Sequence, residues 1–461
     1  MTERADVVVI GMGPGGEHVA GELAADGLDV IGIEANLVGG ECPYYGCIPS
    51  KMMIRAADAL AEARRVNEVA GRAEVQPDLA PAAKRIRDEA TTDWDDQIAA
   101  DRFTEKGGRL IRGRARLVAP RTVEVGDEQI QARRAVVLNT GTSPAIPPID
   151  GLDQVPYWTN RDAVRTTRAP ESMIVLGGGP IGLEFAQVFA RFGTRVSVVE
   201  AADRLLPGEE PAASEVIAQA FRAEGIEVLT GDGVASVRSD SQGIRVQVGA
   251  RELVAERLLV AAGRDTGLGR LGLDAYGLDT SARTLDVDRF CRVLGVDGGP
   301  VEGLYAIGDV TGKGPFTHMS MYQAEIALAH LRGDESLDAE YHAVPRVTFT
   351  DPEVGVVGMS EAQARKQAVP VRSTSVQVPT SARGWIHGVS NDGVITLVAH
   401  AESGMLLGAT SVGPRGGEVL GLLTLAVQQR LPVHALTRMI YAYPTFHRAV
   451  LDAAKQWLAE G

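Results

Sequence analysis

The feature that most limits what this chain can fold into is a glycine turn that occurs twice, each time with an acid at the same distance behind it. The first copy is Gly11-Met12-Gly13-Pro14-Gly15-Gly16, which follows the apolar run 6–10 and leads into a helical stretch, 17–25. A second strand-like run, 29–33, ends at Glu34, 23 positions past Gly11. The second copy is Gly177-Gly178-Gly179-Pro180-Ile181-Gly182, set between the apolar run 173–176 and the helical stretch 183–192. The next run, 194–199, ends at Glu200, again 23 positions past the first glycine. Each copy reads strand, G-x-G-x-x-G, helix, strand, acid. The first glycine permits a sharp turn, the second lets backbone amides approach a pyrophosphate, and the third lets helix and strand pack closely. The helix N-terminus then faces the phosphates, and the acid reaches a ribose hydroxyl. One such turn is a weak signal, because glycine turns before helices are common. Two with the same acid spacing predict two dinucleotide sites: Gly11, Gly13, Gly16 and Glu34 in one, Gly177, Gly179, Gly182 and Glu200 in the other. A protein holding two such cofactors usually moves electrons between them.

At 461 residues the chain is too long for one compact domain. With 45% hydrophobic and 23% charged residues it carries ample apolar material for large cores, which excludes disorder as its main state. The 60 acids against 46 bases, net −14, argue against nucleic acid or an anionic membrane as partner. No apolar run approaches the roughly 18 residues of a membrane span, and the start Met-Thr-Glu-Arg-Ala-Asp does not read as a signal peptide. A cytoplasmic protein is therefore expected. Three cysteines cannot make a disulfide framework, so a disulfide here would be chemistry rather than a staple.

Residues 52–110 are rich in Ala and Arg with helical spacing, broken around 76–81, and the four prolines of 144–156 read as a linker. Further buried-strand runs, 258–264 and 304–309, end in Gly-Arg and Gly-Asp. From about Val344 the chain alternates strand-like and turn-like segments, such as 389–399, and closes in amphipathic helical patterns without a third glycine fingerprint.

Between the two fingerprints lies Gly39-Gly40-Glu41-Cys42-Pro43-Tyr44-Tyr45-Gly46-Cys47-Ile48-Pro49-Ser50-Lys51. Its two cysteines stand five positions apart at the start of an expected helix whose early turn holds Pro49. A thiol at a helix N-terminus is shifted toward the reactive thiolate, and Lys51 adds positive charge. The alternatives are two inert buried thiols or half of a metal site. A metal site needs two more soft ligands, and only Cys291 and scattered histidines remain, so no metal is expected. Cys291, in Arg289-Phe290-Cys291-Arg292, reads as an ordinary core thiol.

This combination resembles the pyridine nucleotide–disulfide oxidoreductases, which include dihydrolipoamide dehydrogenase, glutathione reductase and mercuric reductase. The resemblance rests on both fingerprints and the 39–51 motif, with Thr140-Gly141-Thr142, Ala262-Gly263-Arg264 and Tyr305-Ala306-Ile307-Gly308-Asp309. Residues 345–358 and Tyr443-Pro444-Thr445 extend it over essentially the whole chain. It implies an α/β fold with two Rossmann-like dinucleotide-binding domains and a C-terminal α+β dimerisation domain. The implied boundaries are 1–150 and 266–340 for the two parts of an FAD domain, 151–265 for an NAD(P) domain and 341–461 for the interface of a homodimer. It also implies FAD on the first fingerprint and a nicotinamide on the second, with Gly141 and Gly263 among the cofactor-binding residues. Glu34 would bind the adenosine ribose and Asp309 the ribityl chain. Lys51 and Glu184 would pair beside the flavin N5 edge, where hydride arrives, with Cys47 facing the flavin and Cys42 the acceptor. Glu200 favours NADH; Arg204 keeps NADPH as the alternative.

The departures bear on the acceptor. Relatives that reduce organic disulfides carry His-Pro-Thr with a Glu four positions after the Pro, and this pair shuttles protons to the departing thiol. Here those positions hold Tyr443 and Arg448. A phenol, with a pKa near 10, cannot exchange a proton at neutral pH as an imidazole does. His447 is close; if Pro444 starts a helix, it lies about 400° on from Tyr443 and one turn up. Tyr at the His position is similar to mercuric reductase, but that enzyme collects its metal with a C-terminal cysteine pair, and this chain ends Gln456-Trp457-Leu458-Ala459-Glu460-Gly461. Glu41, Tyr44 and Tyr45 replace the smaller residues usual around the first cysteine. The expected function is FAD-dependent NAD(P)H oxidation, with hydride passing through flavin and the Cys42–Cys47 pair to a small acceptor. That acceptor would be a quinone, another electrophile or a soft metal ion. One alternative is dihydrolipoamide dehydrogenase or another low-molecular-weight disulfide reductase working through His447 or water. Another is a flavin-binding interaction protein without activity, against which the intact Cys42, Cys47, Lys51 and Glu184 argue.

Overall fold

The first apolar run forms the strand Glu3–Ile10 of a computed structural model that describes residues 3–460. Val7 and Val9 pack into the core on one face of its sheet, Val8 and Ile10 into the core on the other. Burial on both faces is what a parallel strand requires. It pairs in parallel with Val30–Glu34 on one side and Glu128–Leu138 on the other, and Arg109–Arg112 and Pro300–Ala306 extend the sheet in parallel. Helices Pro14–Ala25 and Thr317–Leu331 cover one face through Val19, Leu23, Ala324 and Leu328. These elements form one unit, built from the residues up to Pro49, Arg85–Ala145 and Arg264–Tyr341.

The second unit comprises Ser50–Lys84, Ile146–Gly263 and the chain from His342. Its parallel sheet runs in the order Glu227–Thr230, Arg195–Glu200, Ser172–Leu176, Arg257–Val260. Ile174, Leu176 and Val260 of that sheet pack against Ile244, Val246 and Leu253 of a three-stranded antiparallel sheet. The C-terminal part is a five-stranded antiparallel sheet, order Pro345–Thr348, Glu353–Gly358, Leu406–Gly413, Val394–His400, Val371–Gln377. Helices Gly416–Gln428 and Arg448–Ala459 share its core through Leu420, Leu423, Val450 and Trp457. Among the described residues no helix is long and apolar enough to cross a membrane.

Several local expectations shift. Both fingerprint helices start at a proline, Pro14 and Pro180, three residues earlier than the apolar spacing suggests. Proline suits that first position because its missing N–H would be unpaired there anyway. The strand expected within 389–399 is Val394–His400, preceded by a loop in which Ser390 holds a φ of 58°. Pro444 does not start a helix. Thr445 Oγ1 donates to the Ala442 carbonyl and the Arg448 amide to the Thr445 carbonyl, a turn that delays the last helix to Arg448. His447 therefore precedes that helix, and the helical offset from Tyr443 does not apply.

Candidate active site

Each glycine turn is fixed by backbone that a side chain would strike. Gly11 has a φ of +91° and a Cβ there would come within 2.3 Å of the Asn139 carbonyl oxygen; Gly177, at +112°, would meet the Ala261 carbonyl at 2.4 Å. Around Gly179 there is open space, so a Cβ would occupy room that a pyrophosphate can take. The acids behave alike in both copies. Glu34 Oε2 accepts from the Met12 amide at 2.8 Å and Oε1 from the Asn36 amide at 2.7 Å. Glu200 Oε2 accepts from the Gly178 amide at 2.7 Å and Oε1 from the Ala202 amide at 2.8 Å. Each carboxylate thus ties the strand end to its glycine turn, and each oxygen keeps a further lone pair for a ribose hydroxyl. Burial pushes the Glu34 carboxyl upward against these hydrogen bonds. The carboxylate at each strand end and the open face at Gly179 fit dinucleotide binding, one site in each unit.

Near the first turn, Thr142 Oγ1 donates to Asp309 Oδ2 at 2.7 Å, and Arg264 holds Thr142 through its hydroxyl at 3.0 Å and its carbonyl at 2.8 Å. Burial pushes the Asp309 carboxyl up, with Thr142 and Arg264 opposing. Arg264 also comes within 3.6 Å of Glu41. Gly141 and Gly263 take positive φ, 61° and 131°. Asn139, which sequence reading passed over, donates from Nδ2 to the Gly11 carbonyl at 3.2 Å and accepts from Ser320 at 3.1 Å. Its place directly before Thr140-Gly141-Thr142 was the available signal.

The cysteine segment folds as the short helical turn Glu41–Tyr44, closed by the Tyr45 and Gly46 amides on the Glu41 carbonyl, and Cys47 opens the helix Cys47–Val69. Cys47 Sγ lies 3.3 Å from Thr317 Oγ1, the first residue of the helix Thr317–Leu331. A hydrogen bond with Cys47, then burial and the Cys47 charge, push the Cys42 thiol well above its ordinary value. Thr317 was not among the expected residues; nothing in the local sequence marks a threonine that arrives from 270 positions away. Cys291 is fully buried, and burial pushes its thiol up to about 12.

In the second unit Lys51 Nζ pairs with Glu184 Oε2 at 2.7 Å, and Glu184 Oε1 accepts the Phe349 amide at 2.9 Å. Glu184, Gln187 and Arg191 share one face of the helix Pro180–Arg191. Gln187 accepts from the Asp351 amide at 2.7 Å. Arg191 pairs with Asp58 at 2.6 Å, Glu224 at 2.6 Å and Asp351 at 2.7 Å, and Arg65 reaches Asp351 at 2.6 Å. Burial pushes Asp58 up to about 6, although its side chain is 41% exposed and water screens part of the effect. Tyr443 stands apart from this network, 69% exposed, with the Arg448 guanidinium 5.4 Å from its ring centroid. Among the described residues no group of three or more His, Cys, Asp or Glu side chains is arranged to hold a metal ion.

Residues 5–329 match the family model described as pyridine nucleotide-disulphide oxidoreductase, and residues 344–454 match that of its dimerisation domain. The chain is 33% identical to a dihydrolipoyl dehydrogenase of Haloferax volcanii, over 99% of this chain and 96% of that protein. It is also 33% identical to a mercuric reductase of Acidithiobacillus ferrooxidans, over 98% and 82%. Among solved structures it is similar to a Cu(II) complex of a mutant of the HOCl-induced flavoprotein disulfide reductase RclA from Escherichia coli (TM-score 0.84, 25% identity, 99% of each chain). LpdA from Mycobacterium tuberculosis is comparably similar (TM-score 0.83, 26% identity, 99% of each chain). The paired glycine turns, the cysteine segment and the two family matches agree: this chain belongs to the pyridine nucleotide–disulphide oxidoreductases, enzymes that use FAD and NAD(P)H.

Proposed function

We propose that this enzyme oxidises NADH and reduces, through the Cys42–Cys47 pair, an acceptor that needs no proton delivered by a His–Glu pair: a soft metal ion first, a quinone or other electrophile next. The observation that carries the reading is the Tyr443–Arg448 pair, a phenol under a guanidinium where an imidazole and a carboxylate would serve a leaving thiol. The mercuric reductases among its relatives and the Cu(II) complex of RclA support a metal acceptor. When bound, FAD supplies a two-electron carrier between nicotinamide and dithiol. The chain's own residues do the rest. The helix N-terminus at Cys47 and the Thr317 hydroxyl stabilise negative charge on that sulfur, while Cys42 holds the remaining proton. In forming a disulfide this thiolate–thiol pair gives up two electrons to the acceptor and the one proton on Cys42. Two soft sulfurs side by side also suit a thiophilic cation.

NADH is favoured because Glu200 stands where a 2′-phosphate would be repelled. Arg204, the candidate phosphate receiver, is turned to its own unit, donating to the Leu206 and Pro207 carbonyls at 3.3 and 2.7 Å and to Ser214 Oγ at 2.7 Å. The first fingerprint residues would hold FAD and the second the nicotinamide, within the domain boundaries 1–150 with 266–340, 151–265 and 341–461. The last of these would form a homodimer, a role that suits the exposed Trp385, Leu425 and Ile440. The match to dihydrolipoyl dehydrogenases keeps lipoamide as the second reading, with His447 as proton carrier. The test is steady-state NADH oxidation with Hg(II), Cu(II), a soluble quinone, lipoamide and glutathione disulfide. Metal or quinone turnover should exceed disulfide turnover by roughly a hundredfold, the usual worth of general acid help. Tyr443→His with Arg448→Glu should raise disulfide turnover and leave quinone reduction as it was. Brisk lipoamide turnover by the unmodified protein would select the second reading.

A further inference from the structure

Three consecutive residues, Thr92, Asp93 and Trp94, hold positive φ angles of 50°, 56° and 58°. None is glycine, and such residues visit this region singly as a rule, because Cβ crowds the carbonyl. The run follows a π-helical turn, Ile86–Ala90, of a kind that often marks functional sites. Strain of this sort persists only where its surroundings over-determine it. Thr91 Oγ1 donates to the Ile86 carbonyl at 3.0 Å and accepts the Trp94 amide at 3.4 Å, while the Asp93 amide donates to the Arg87 carbonyl at 2.7 Å.

The turn grips the cysteine segment at two points. Trp94 Nε1 donates to the Tyr44 carbonyl at 3.0 Å, between the two cysteines. Asp96 Oδ2 accepts the Val38 amide at 2.5 Å, just before Gly39 and Gly40, whose φ angles are 104° and 72°. Asp96 is itself fixed by Arg112 through hydrogen bonds of 2.6 and 2.9 Å. The buried Tyr44 ring rests against Gly39, where a Cβ would come within 3.2 Å of it. Cys42 is therefore pinned from both sides by one short, strained segment.

We propose that the Thr91–Asp96 turn is a brace that sets the separation of Cys42 and Cys47, with Trp94 as a positioning residue acting through the Tyr44 carbonyl. The proposal rests on the reading of these cysteines as a redox pair. Closing the disulfide forms one S–S bond, releases the Cys42 proton and passes two electrons to the acceptor, or to glutathione disulfide in a redox buffer. A brace that holds the sulfurs adjacent raises their effective concentration for that step and favours the disulfide. Losing the indole hydrogen bond frees the Cys42 arm and shifts the pair toward dithiol.

The experiment uses the FAD-loaded protein and Trp94→Phe, which keeps an aromatic ring and loses the N–H. Both are equilibrated with graded glutathione redox buffers, and free thiols are counted by alkylation and mass. Loss of one hydrogen bond should move the equilibrium three- to tenfold toward dithiol, about 15–30 mV at roughly 30 mV per tenfold. Trp94→His, which retains a ring N–H, should lie closer to the unmodified protein. A purely packing role would lower the melting temperature and leave this equilibrium where it was, which overturns the proposal. Should Trp94→Phe not fold, the unmodified protein labelled with 5-fluorotryptophan decides. One of its four fluorine resonances, one per tryptophan, should shift between the dithiol and disulfide forms; four unmoved resonances refute the brace. An unmodified protein that forms no disulfide in oxidising buffer refutes the redox-pair reading instead.

Discussion

Replacing Lys51 with Met separates what its ion pair does for the fold from the part in hydride transfer that the family resemblance assigns to it. The Glu184 side chain is 6% exposed and has two partners, Lys51 Nζ at 2.7 Å and the Phe349 amide at 2.9 Å. Without Lys51 a buried carboxylate keeps one backbone donor. Breaking a buried pair from one side costs about 3–5 kcal/mol. Lys51 is 35% exposed, so water already shares its charge and the loss should sit lower, about 2–3 kcal/mol. For a unit of this size each kcal/mol is worth about 2–4 °C, which places the drop in melting temperature at about 5–10 °C. Glu184→Leu added to Lys51→Met removes the stranded charge and should restore most of that loss, since apolar replacement of a buried pair is often neutral. Calorimetry reads this arm. Rapid mixing with NADH, following loss of the flavin colour, reads the other, where both variants should be slower by about a hundredfold. Equal melting temperatures for the single and double variants would refute the electrostatic account of the pair. Reduction at the normal rate in the double variant would remove Lys51 and Glu184 from the catalytic set.

Arg191→Met should destabilise at neutral pH by about 3 kcal/mol, because Glu224 is left with the Gln187 amide in place of its guanidinium and Asp351 with Arg65 alone of its two arginines. Burial works against Asp351, yet Arg191 and Arg65 hold its carboxyl below the ordinary value. Its stabilising contribution is therefore present above about pH 4 and lost as pH falls through its folded value, so the gap to the unmodified protein should narrow on acidification; urea titrations at a series of pH values check this. Glu200→Ala should lower the NADH-to-NADPH preference in kcat/KM by roughly tenfold or more, about 1.4 kcal/mol, and an unchanged ratio would discard the argument from the carboxylate. Thr317→Val removes the hydroxyl 3.3 Å from Cys47 Sγ. On the reading that sets Cys47 against the flavin, its thiolate gives a long-wavelength charge-transfer absorbance whose pH midpoint should rise by about half to one unit, the worth of one hydrogen bond; a fixed midpoint would mean the hydroxyl does not serve the thiolate.

The residues alone determined whatever is local. A glycine that must take a positive φ, a helix opened by proline and a cysteine at a helix start are all consequences of backbone geometry within a few positions. Gly11, Gly177 and Cys47 accordingly stand where their spacing puts them, while Pro14 and Pro180 open their helices three residues before the apolar spacing does. The apolar run 6–10 also carried the two-sided burial of Val7 to Ile10. Tertiary structure alone decided which distant side chains complete each local motif. Asn139 closes on Gly11 across 128 positions, Thr317 on Cys47 across 270 and Trp94 on Tyr44 across 50. No pattern in a single sequence encodes those distances, because they follow from the order of strands in a sheet rather than from the spacing of residues along it. The turn at Tyr443–His447 belongs to the same class: proline permits a helix start there, but the Thr445 hydroxyl on the Ala442 carbonyl makes a turn, and the helix waits for Arg448.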